Sequence, residues 1–212
     1  MRSRLDHITV TAPALEAGAD YVRQALGVSP QAGGEHPGMG THNRLLKLGE
    51  RIYLEVIAVN PAASRPNRPR WFQLDEPDAK RPVRLATWAA RTDDIRAASA
   101  ASPTSLGVVE PMSRGQLSWL ITIPEDGGLP LGIAPALIQW PDGIHPADRL
   151  EDRGCSLVRL EGFHPQAVEV TAVLRSIGFE GEFSVKSLPA GERPYLVAHV
   201  RTPNGMRQLS FP

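Results

Sequence analysis

One short unit recurs three times along the chain, and it limits the folds available more than any other feature. Ala-Leu-Gly-Val at residues 25–28 returns as Ser-Leu-Gly-Val at 105–108 and as Ser-Ile-Gly-Phe at 176–179. In each copy the upstream residues predict a short helix that closes at the glycine in the left-handed conformation. Repetition of this kind indicates one structural unit used several times. We therefore expect three copies of a single module.

The predicted elements have the same order in each copy. A strand precedes each helix, over 5–11 in the first copy, 84–91 in the second and 156–161 in the third. Three more strands follow each helix. They lie near 28–34, 42–48 and 51–59 in the first copy, near 107–113, 116–124 and 132–140 in the second, and near 182–188, 194–202 and 206–211 in the third. The sequence thus predicts an α+β fold of tandem βαβββ modules, with cupped mixed sheets and helices outside. Two modules, about 1–59 and 83–140, make one domain of residues 1–140, and 156–212 make a third module.

Three local expectations accompany this order. Thr92 is placed to cap the second helix. The Pro- and Arg-rich crossover at 60–82, which includes Arg65, Arg68, Arg70 and Arg81, is expected to be a solvated linker pinned to the body by Trp71 and Phe72. On the second module, Trp88 and Trp140 alternate with Thr87 and Gln139, so we expect both tryptophans to pack in the core against helices.

Charge and composition exclude several classes of protein. Lys plus Arg and Asp plus Glu number 23 each, so the formal net charge is zero. No global field would attract nucleic acid or an anionic membrane. No apolar run is long enough to span a bilayer, and no apolar signal core follows the first residues. The single cysteine, Cys155, has no partner for a disulfide. We expect a cytoplasmic protein with a small-molecule ligand.

Two predicted strands carry the best candidate site residues. In the stretch from Leu5 to Thr11, His7 shares a face with Thr9 and Thr11, because side chains alternate along a strand. In the same way Glu55 shares a face with Tyr53. A carboxylate that orients an imidazole is a common arrangement for acid–base work, and the pair could also bind a metal or simply close the sheet.

The order of elements and these two residues resemble a known family. A tandem βαβββ unit with His on its first strand and Glu on its last resembles the vicinal oxygen chelate (glyoxalase-like) superfamily. Residues 40–49, 53–57 and 136–140 resemble its glyoxalase-like domain. The resemblance implies one divalent metal, with Zn, Ni, Mn or Fe as the candidates, held by ligands from both modules. His7 and Glu55 would be metal ligands and catalytic residues.

The resemblance assigns other residues to the second and third modules. The second module offers Thr87 and Gln139 at the ligand positions, and the third offers Val158 and the run 207–210. Further ligands could then come from the three histidines His36, His42 and His199. We expect His42, Asn43, Thr87 and Gln139 to bind substrate. The Gly-rich stretch 33–43 is either a flap over the cavity or a plain hairpin loop.

Two functions follow from the resemblance. The first is an enzyme acting on a small oxygenated metabolite, as a metal-dependent lyase or isomerase, or as a dioxygenase. The alternative is a metal-free protein that binds or sequesters a small molecule without catalysis. The third module must either pack beside the pair or meet another copy of itself, and its open sheet edge predicts a homodimer.

Overall fold

The computed structural model describes residues 2–76, 82–141 and 143–210. The first module holds β1 (Ser3–Thr11), α1 (Leu15–Leu26), β2 (Gln31–His36), β3 (Thr41–Gly49) and β4 (Ile52–Val59). The second holds β5 (Arg84–Thr92), α2 (Ile95–Ala101), β6 (Val108–Arg114), β7 (Leu117–Ile123) and β8 (Ala136–Gln139), and the third β9 (Ser156–His164), α3 (Ala167–Ser176), β10 (Phe183–Ser187), β11 (Tyr195–Thr202) and β12 (Gly205–Ser210). This confirms the predicted fold class. No helix in the described ranges is long and apolar enough to cross a membrane.

The first two modules share one curled sheet of eight strands, ordered β2-β3-β4-β1-β5-β8-β7-β6. The antiparallel strands β1 and β5 meet at its centre, where His7 pairs with Ala89 and Thr9 with Thr87. An offset of 80 residues relates His7 to Thr87 and Thr9 to Ala89, so it converts the first pair into the second. The two modules are therefore related by an approximate two-fold axis, and His7 and Thr87 occupy equivalent positions.

The main core lies behind the convex face of this sheet. Ile8 and Val10 of β1 pack there with Val22 of α1 and Ile95 of α2. Trp88 is fully buried in the same cluster, with its ring 5.2 Å from that of Phe179 and 4.7 Å from that of Phe183. Burying large apolar side chains on this side holds both helices outside the sheet and leaves the concave face free for a cavity.

The third module packs on the back of the large sheet. Its four-stranded sheet buries the apolar face of Leu160, Leu196, Ala198, Val200 and Leu209 in the core that contains Trp88. Of the two arrangements expected for this module, the structure has the one in which it packs beside the pair. The homodimer stays a prediction.

The third module differs from the others in strand pairing. Its sheet is ordered β10-β9-β11-β12, and β10 runs parallel to β9, with Phe183 opposite Leu160. In the first module β2, which follows the helix, lies at the outer edge and does not pair with β1. The parallel neighbour of β1 there is the last strand, β4. The βαβββ order therefore repeats three times, but the third copy does not form a third half-barrel.

Two local predictions need correction. The N-cap of α2 is Asp94, whose carboxylate accepts the Ala97 N–H at 3.0 Å, while the Thr92 hydroxyl accepts the Asp94 N–H. The helix also ends at Ala101, well before Gly107, because Pro103 favours an extended conformation at the preceding residue. At Gly27 the prediction is confirmed, since this residue closes α1 with φ 72°.

The crossover is more firmly attached than a solvated linker. Trp71 and Phe72 are buried, which confirms that they pin it to the body. Arg70 is also buried and forms an ion pair with Asp75, and Arg68 pairs with Glu110 of β6 at 3.1 Å. Arg81 lies outside the described residues.

Gly107 is expected to tolerate no side chain. It has φ +104°, and a Cβ built on it would lie 2.3 Å from the carbonyl carbon of Ile123. We expect Gly107→Ala to lower the free energy of unfolding by about 1–3 kcal/mol, measured by urea denaturation. Gly115→Ala is the control, because Gly115 also has positive φ, +58°, but faces open space. Equal losses in the two variants would contradict a steric origin.

Candidate active site

A bulge in β1 brings two neighbouring side chains into contact on the concave side. Leu5 pairs with Ala90 and His7 with Ala89, so Asp6 is the extra residue between them. Such a bulge interrupts the alternation of faces and re-aims a side chain. As a result Asp6 Oδ1 lies 2.7 Å from His7 Nδ1, and both residues are buried.

Asp6 is a fully buried carboxylate with three donors. Its Oδ2 accepts hydrogen bonds from Trp140 Nε1 and His145 Nε2, each at 3.0 Å. Burial alone would raise the pKa of Asp6, but the hydrogen bonds from His145 and His7 outweigh it and hold the pKa far below its usual value. Asp6 is therefore ionised at neutral pH.

The hydrogen-bond partners assign the tautomers of both histidines. His145 Nδ1 accepts the Ala147 N–H at 3.2 Å, so its proton is on Nε2, which donates to Asp6. His7 Nδ1 faces an ionised carboxylate and must donate to it. The Nε2 atom of neutral His7 therefore carries a lone pair. The Tyr53 ring stacks on the imidazole, 4.6 Å away and at 19°, and fixes its plane.

Glu55 is held opposite His7 by Asn43. The Asn43 oxygen accepts the Gly34 N–H at 2.8 Å and Arg114 Nη1 at 3.0 Å, which leaves its amide nitrogen to donate to Glu55 Oε1 at 2.6 Å. The other oxygen, Oε2, lies 3.9 Å from His7 Nε2. That distance is too long for a direct hydrogen bond, so both atoms remain available to a third group.

His7 and Glu55 line a small cavity with an aromatic wall. Its volume is about 30 Å³, within an indentation of about 400 Å³ that includes the mouth. The side chains around it are those of His7, His36, Asn43, Leu45, Tyr53, Glu55, Trp71, Phe72, Arg114, Trp119, Ile121, Ile138 and Trp140. The enclosed space holds little more than a water molecule, so a larger ligand requires movement of the wall.

Burial also sets the charge of two other groups in the wall. It lowers the pKa of His36 to about 4, and the positive charge of Arg114 adds to this against the pull of Glu55. His36 is therefore neutral at pH 7, with its Nδ1 3.1 Å from the Thr41 hydroxyl. Burial, with the charges of Asp6 and Glu55, raises the pKa of Tyr53 well above its ordinary value, so the phenol keeps its proton.

The structure brings together some of the predicted site residues and separates others. His7, Asn43 and Glu55 meet in the cavity. His42 does not join them, because it is next to Asn43 on β3 and successive side chains point to opposite faces. It lines an open groove with Leu15 and other residues on the convex side.

The second-module residues lie away from the cavity wall. Thr87 is buried on the concave face beside Thr9, but it does not line the cavity. Gln139 points to the convex side, where its oxygen accepts the Ile95 N–H at the start of α2, at 2.9 Å. Trp140 therefore lines the cavity instead of packing against the helices, and the expectation for this residue was wrong. Trp88 packs in the core as expected.

Strand register identifies the true counterpart of Glu55. Thr9 of β1 pairs with Glu55 of the parallel strand β4, and Ala89, which is equivalent to Thr9, pairs with Ala136 of β8. Ala136 therefore occupies the position that the sequence comparison gave to Gln139. The second module offers Thr87 and Ala136 where the first has His7 and Glu55, so its half of the cavity carries no matching pair.

The histidines considered as further metal ligands lie in three different places. His36 lines the cavity, and His42 is on the opposite face. His199 is on β11 in the small sheet, where its Nε2 is 2.5 Å from Glu161 Oε2. Among the described residues, no group of three or more His, Cys, Asp or Glu side chains is arranged to hold a metal ion.

Sequence reasoning missed four residues of the site: Asp6, Arg114, Trp140 and His145. A carboxylate directly beside a histidine in a predicted strand was the available signal for Asp6. His145 was expected to be an ordinary loop residue, yet it is buried, with its ring 5.7 Å from Tyr53. No sequence pattern marks Arg114, which reaches the cavity from the end of β6.

Comparisons with known proteins identify the family and the fold. The family model described as glyoxalase-like domain matches residues 5–178. A search of the curated proteins found no match. A hypothetical protein from Staphylococcus aureus, 13% identical, has a TM-score of 0.61, with 92% of this chain and 88% of that chain covered. A mutant 4-hydroxymandelate synthase from Streptomyces coelicolor, 14% identical, has a TM-score of 0.51, with 98% and 62% covered. Methylmalonyl-CoA epimerase from Mycobacterium tuberculosis, 18% identical, has a TM-score of 0.42, with 65% and 87% covered. At these identities the likenesses to the first two structures concern the fold alone.

Proposed function

The chain belongs to the glyoxalase-like domain family of the vicinal oxygen chelate superfamily, and from that premise we propose that it is an enzyme that transfers a proton on a small oxygenated substrate. The observation that carries this proposal is the pair of atoms, His7 Nε2 and Glu55 Oε2, that remain available for hydrogen bonding to a ligand in the cavity. His7 Nε2 and Glu55 Oε2 are 3.9 Å apart, and each is positioned by its own buried hydrogen-bond network. A pair prepared in this way suits general acid–base catalysis.

His7 is the proposed base. Its Nε2 lone pair faces the cavity, and its Nδ1 proton is held by ionised Asp6. When Nε2 takes a proton from the substrate, the imidazolium that forms lies directly against this carboxylate and is stabilised by it. Stacking on Tyr53 keeps the ring from turning away.

Glu55 and Arg114 are the proposed partners on the other side. Glu55 Oε2 can contact the same substrate group as His7 Nε2 and exchange a proton with it, while Asn43 holds Oε1. Arg114 uses Nη1 to contact Asn43, which leaves its other N–H groups for the substrate. A guanidinium there stabilises negative charge that develops on a carbonyl oxygen as the proton leaves the neighbouring carbon.

The family resemblance also implies a divalent cation, and the site fits one only in part. His7 Nε2 is oriented by a carboxylate, as metal-bound imidazoles usually are, and Glu55 faces it. These two residues would hold the ion, which would polarise a substrate oxygen. Catalytic metal sites generally use three or more protein ligands, and the described residues do not arrange a third. The proposed steps therefore rest on the side chains alone.

Substrate entry is proposed to require movement of the crossover. Trp71 and Phe72 form one wall of the cavity, and Phe72 and Gln73 have positive φ values of 58° and 59°. Such conformations are costly for residues with side chains and occur often at ligand clamps. Displacing this turn would enlarge the cavity towards the volume that a small metabolite needs.

The aromatic wall favours a second candidate, a protein that binds a small molecule without chemistry. Five rings surround the cavity: Tyr53, Trp71, Phe72, Trp119 and Trp140. A flat ligand would gain affinity from stacking on them, with Asn43 and Arg114 directing its polar groups. In this case the His7–Glu55 pair would orient the ligand.

One sequence of experiments separates the two candidates. Small 2-hydroxycarbonyl compounds and 2-oxo acids are first tested for an increase in Tm, and those that bind are then incubated with the protein in D₂O. Deuterium uptake at the carbon beside the carbonyl, read by proton NMR and abolished in His7→Gln, is expected for the enzyme. Binding of these compounds without any exchange would contradict it and favour the binding protein. Elemental analysis of the wild type and His7→Gln measures metal in the same samples.

Gly33 is expected to be essential to the site although it makes no contact with substrate. A Cβ built on it would lie 2.1 Å from the Asn43 side-chain oxygen and 2.7 Å from its backbone oxygen. Gly33→Ala should therefore displace Asn43 from Glu55 and reduce deuterium exchange by about tenfold or more. Gly38→Ala is the matched control, because that Cβ meets nothing within 4 Å. Unchanged exchange in Gly33→Ala would show that Asn43 does not position Glu55.

A further inference from the structure

A second cavity, behind Trp140, is surrounded by four arginines. It encloses about 330 Å³ between the ends of β1, β4 and β5 and the segment after β8. Arg2, Arg4, Arg51 and Arg91 line it. We propose that this cavity binds the phosphoryl group of a small metabolite, at a site distinct from the His7–Glu55 cavity.

Among the described residues around this cavity, positive charge exceeds negative charge. Arg2 and Arg4 share one carboxylate, that of Glu180, at 3.5 and 3.3 Å. Neither Arg51 nor Arg91 forms an ion pair with a carboxylate in the part of the chain that the structure describes. The only acidic side chain among the described lining residues is that of Asp93. Within the described part of the chain, the cavity therefore carries an excess of positive charge that a bound anion would neutralise.

Strand pairing concentrates this charge. Arg4 of β1 lies directly opposite Arg91 of β5, and like charges at such positions repel each other. At the equivalent position across the approximate two-fold axis, Thr11 pairs with Arg84, so only one end of the strand pair carries two arginines. A local cost of this kind is offset when an anion bridges the two guanidinium groups.

Two of the arginines are held in place with donors left over. Arg91 Nη1 donates to the backbone oxygens of Leu5 and Arg51, the latter at 2.8 Å, which fixes the guanidinium at the cavity wall. Arg51 Nε is buried and makes no hydrogen bond in the described structure. Among the described residues, no partner is seen for the Nη atoms of Arg51 or for Nη2 of Arg91, and these are the donors that a ligand in the cavity would meet.

The number and shape of these donors favour phosphate over carboxylate. One carboxylate presents two oxygens and is satisfied by a single guanidinium fork, whereas a phosphoryl group presents three terminal oxygens and up to two negative charges. Four guanidinium groups around one cavity match the second pattern. Trp140 lines both cavities and donates to Asp6, so its indole offers a fluorescent report of occupancy.

Binding is tested with inorganic phosphate and with glycerol 2-phosphate, each titrated at constant ionic strength against sodium chloride and sodium acetate. Tryptophan fluorescence and calorimetry report binding to the wild type, Arg51→Gln and Arg4→Gln. Arg23→Gln is the matched control, because Arg23 is an exposed arginine paired with Asp20 at 3.2 Å on α1. Trp140→Phe identifies the fluorescence that arises at the cavity.

We expect saturable binding of either phosphate compound, a Kd raised about tenfold or more in Arg51→Gln and in Arg4→Gln, and no change in Arg23→Gln. Binding of the ester but not of inorganic phosphate supports a phosphorylated metabolite, and the reverse supports the free ion. Three outcomes overturn the proposal: no saturable signal with millimolar ligand, an equal effect of acetate, or the same Kd in the wild type and both cavity variants. These binding measurements do not depend on catalysis, so a negative result would not contradict the proposed enzyme activity.

Discussion

Replacing Glu55 with glutamine is expected to lower deuterium exchange on a bound substrate by about 10²–10⁴-fold while the fold stays intact. Glutamine keeps an oxygen that can accept from Asn43, so the buried hydrogen bond at 2.6 Å can survive. It cannot take up or release a proton at the position 3.9 Å from His7 Nε2. The measurement is the exchange rate by proton NMR, with Tm recorded on the same sample.

A second carboxylate–imidazole pair in the chain supplies the control. Glu161 and His199 lie 2.5 Å apart on the small sheet, outside the cavity. Glu161→Gln therefore removes a similarly buried carboxylate that lies outside the proposed active site. We expect it to change stability but not exchange. If Glu55→Gln and Glu161→Gln slow exchange to the same extent, Glu55 has no chemical role and the binding-protein candidate gains support.

Much of the fold could be predicted because its signals are periodic. Strand alternation placed His7 and Glu55 on one face, and the recurring Leu-Gly-Val motif provided the spacing of 80 residues that the pairing of β1 with β5 reproduces. The pairing within the third module could not be predicted in the same way. Its element order matches the others, but the order of elements along a chain does not specify which strands become neighbours.

The site was harder to predict where regular alternation fails. The bulge at Asp6 turns a residue that alternation assigns to the convex face towards His7. At Gln139, the expected similarity to Glu55 rested on the sequence alone, whereas parallel pairing makes Ala136 the counterpart. Arg114 and His145 come from a strand end and a loop whose paths are set by tertiary packing. Residues in such places leave no periodic pattern to detect.

Asp6→Asn is expected to be the most destabilising conservative change in the site. The carboxylate is fully buried and accepts from three side chains, His7, Trp140 and His145. An asparagine side chain turns its NH₂ group towards at least one of these partners, so either two donors meet or His7 moves its proton from Nδ1 to Nε2. We expect the free energy of unfolding to fall by about 3–5 kcal/mol, which corresponds to a Tm lower by about 10 °C. Asp148→Asn, at an exposed position in the same region, should change Tm little.

The pH dependence of this loss identifies the carboxylate charge as its source. Because the folded-state pKa of Asp6 is depressed, its ionised form contributes stability that is fully present above the unfolded-state pKa of about 3.9 and disappears as the pH falls through the folded-state value. The difference in stability between the wild type and Asp6→Asn should therefore shrink as the pH falls below about 4. Glu161, whose pKa the hydrogen bonds from Lys186 and His199 lower to about 2, also titrates in acid, but it does so in both proteins and cancels from the difference. A difference that stays constant down to the acid limit would mean that asparagine destabilises the site through packing, and that the charge of Asp6 does not hold His7 in its proposed role.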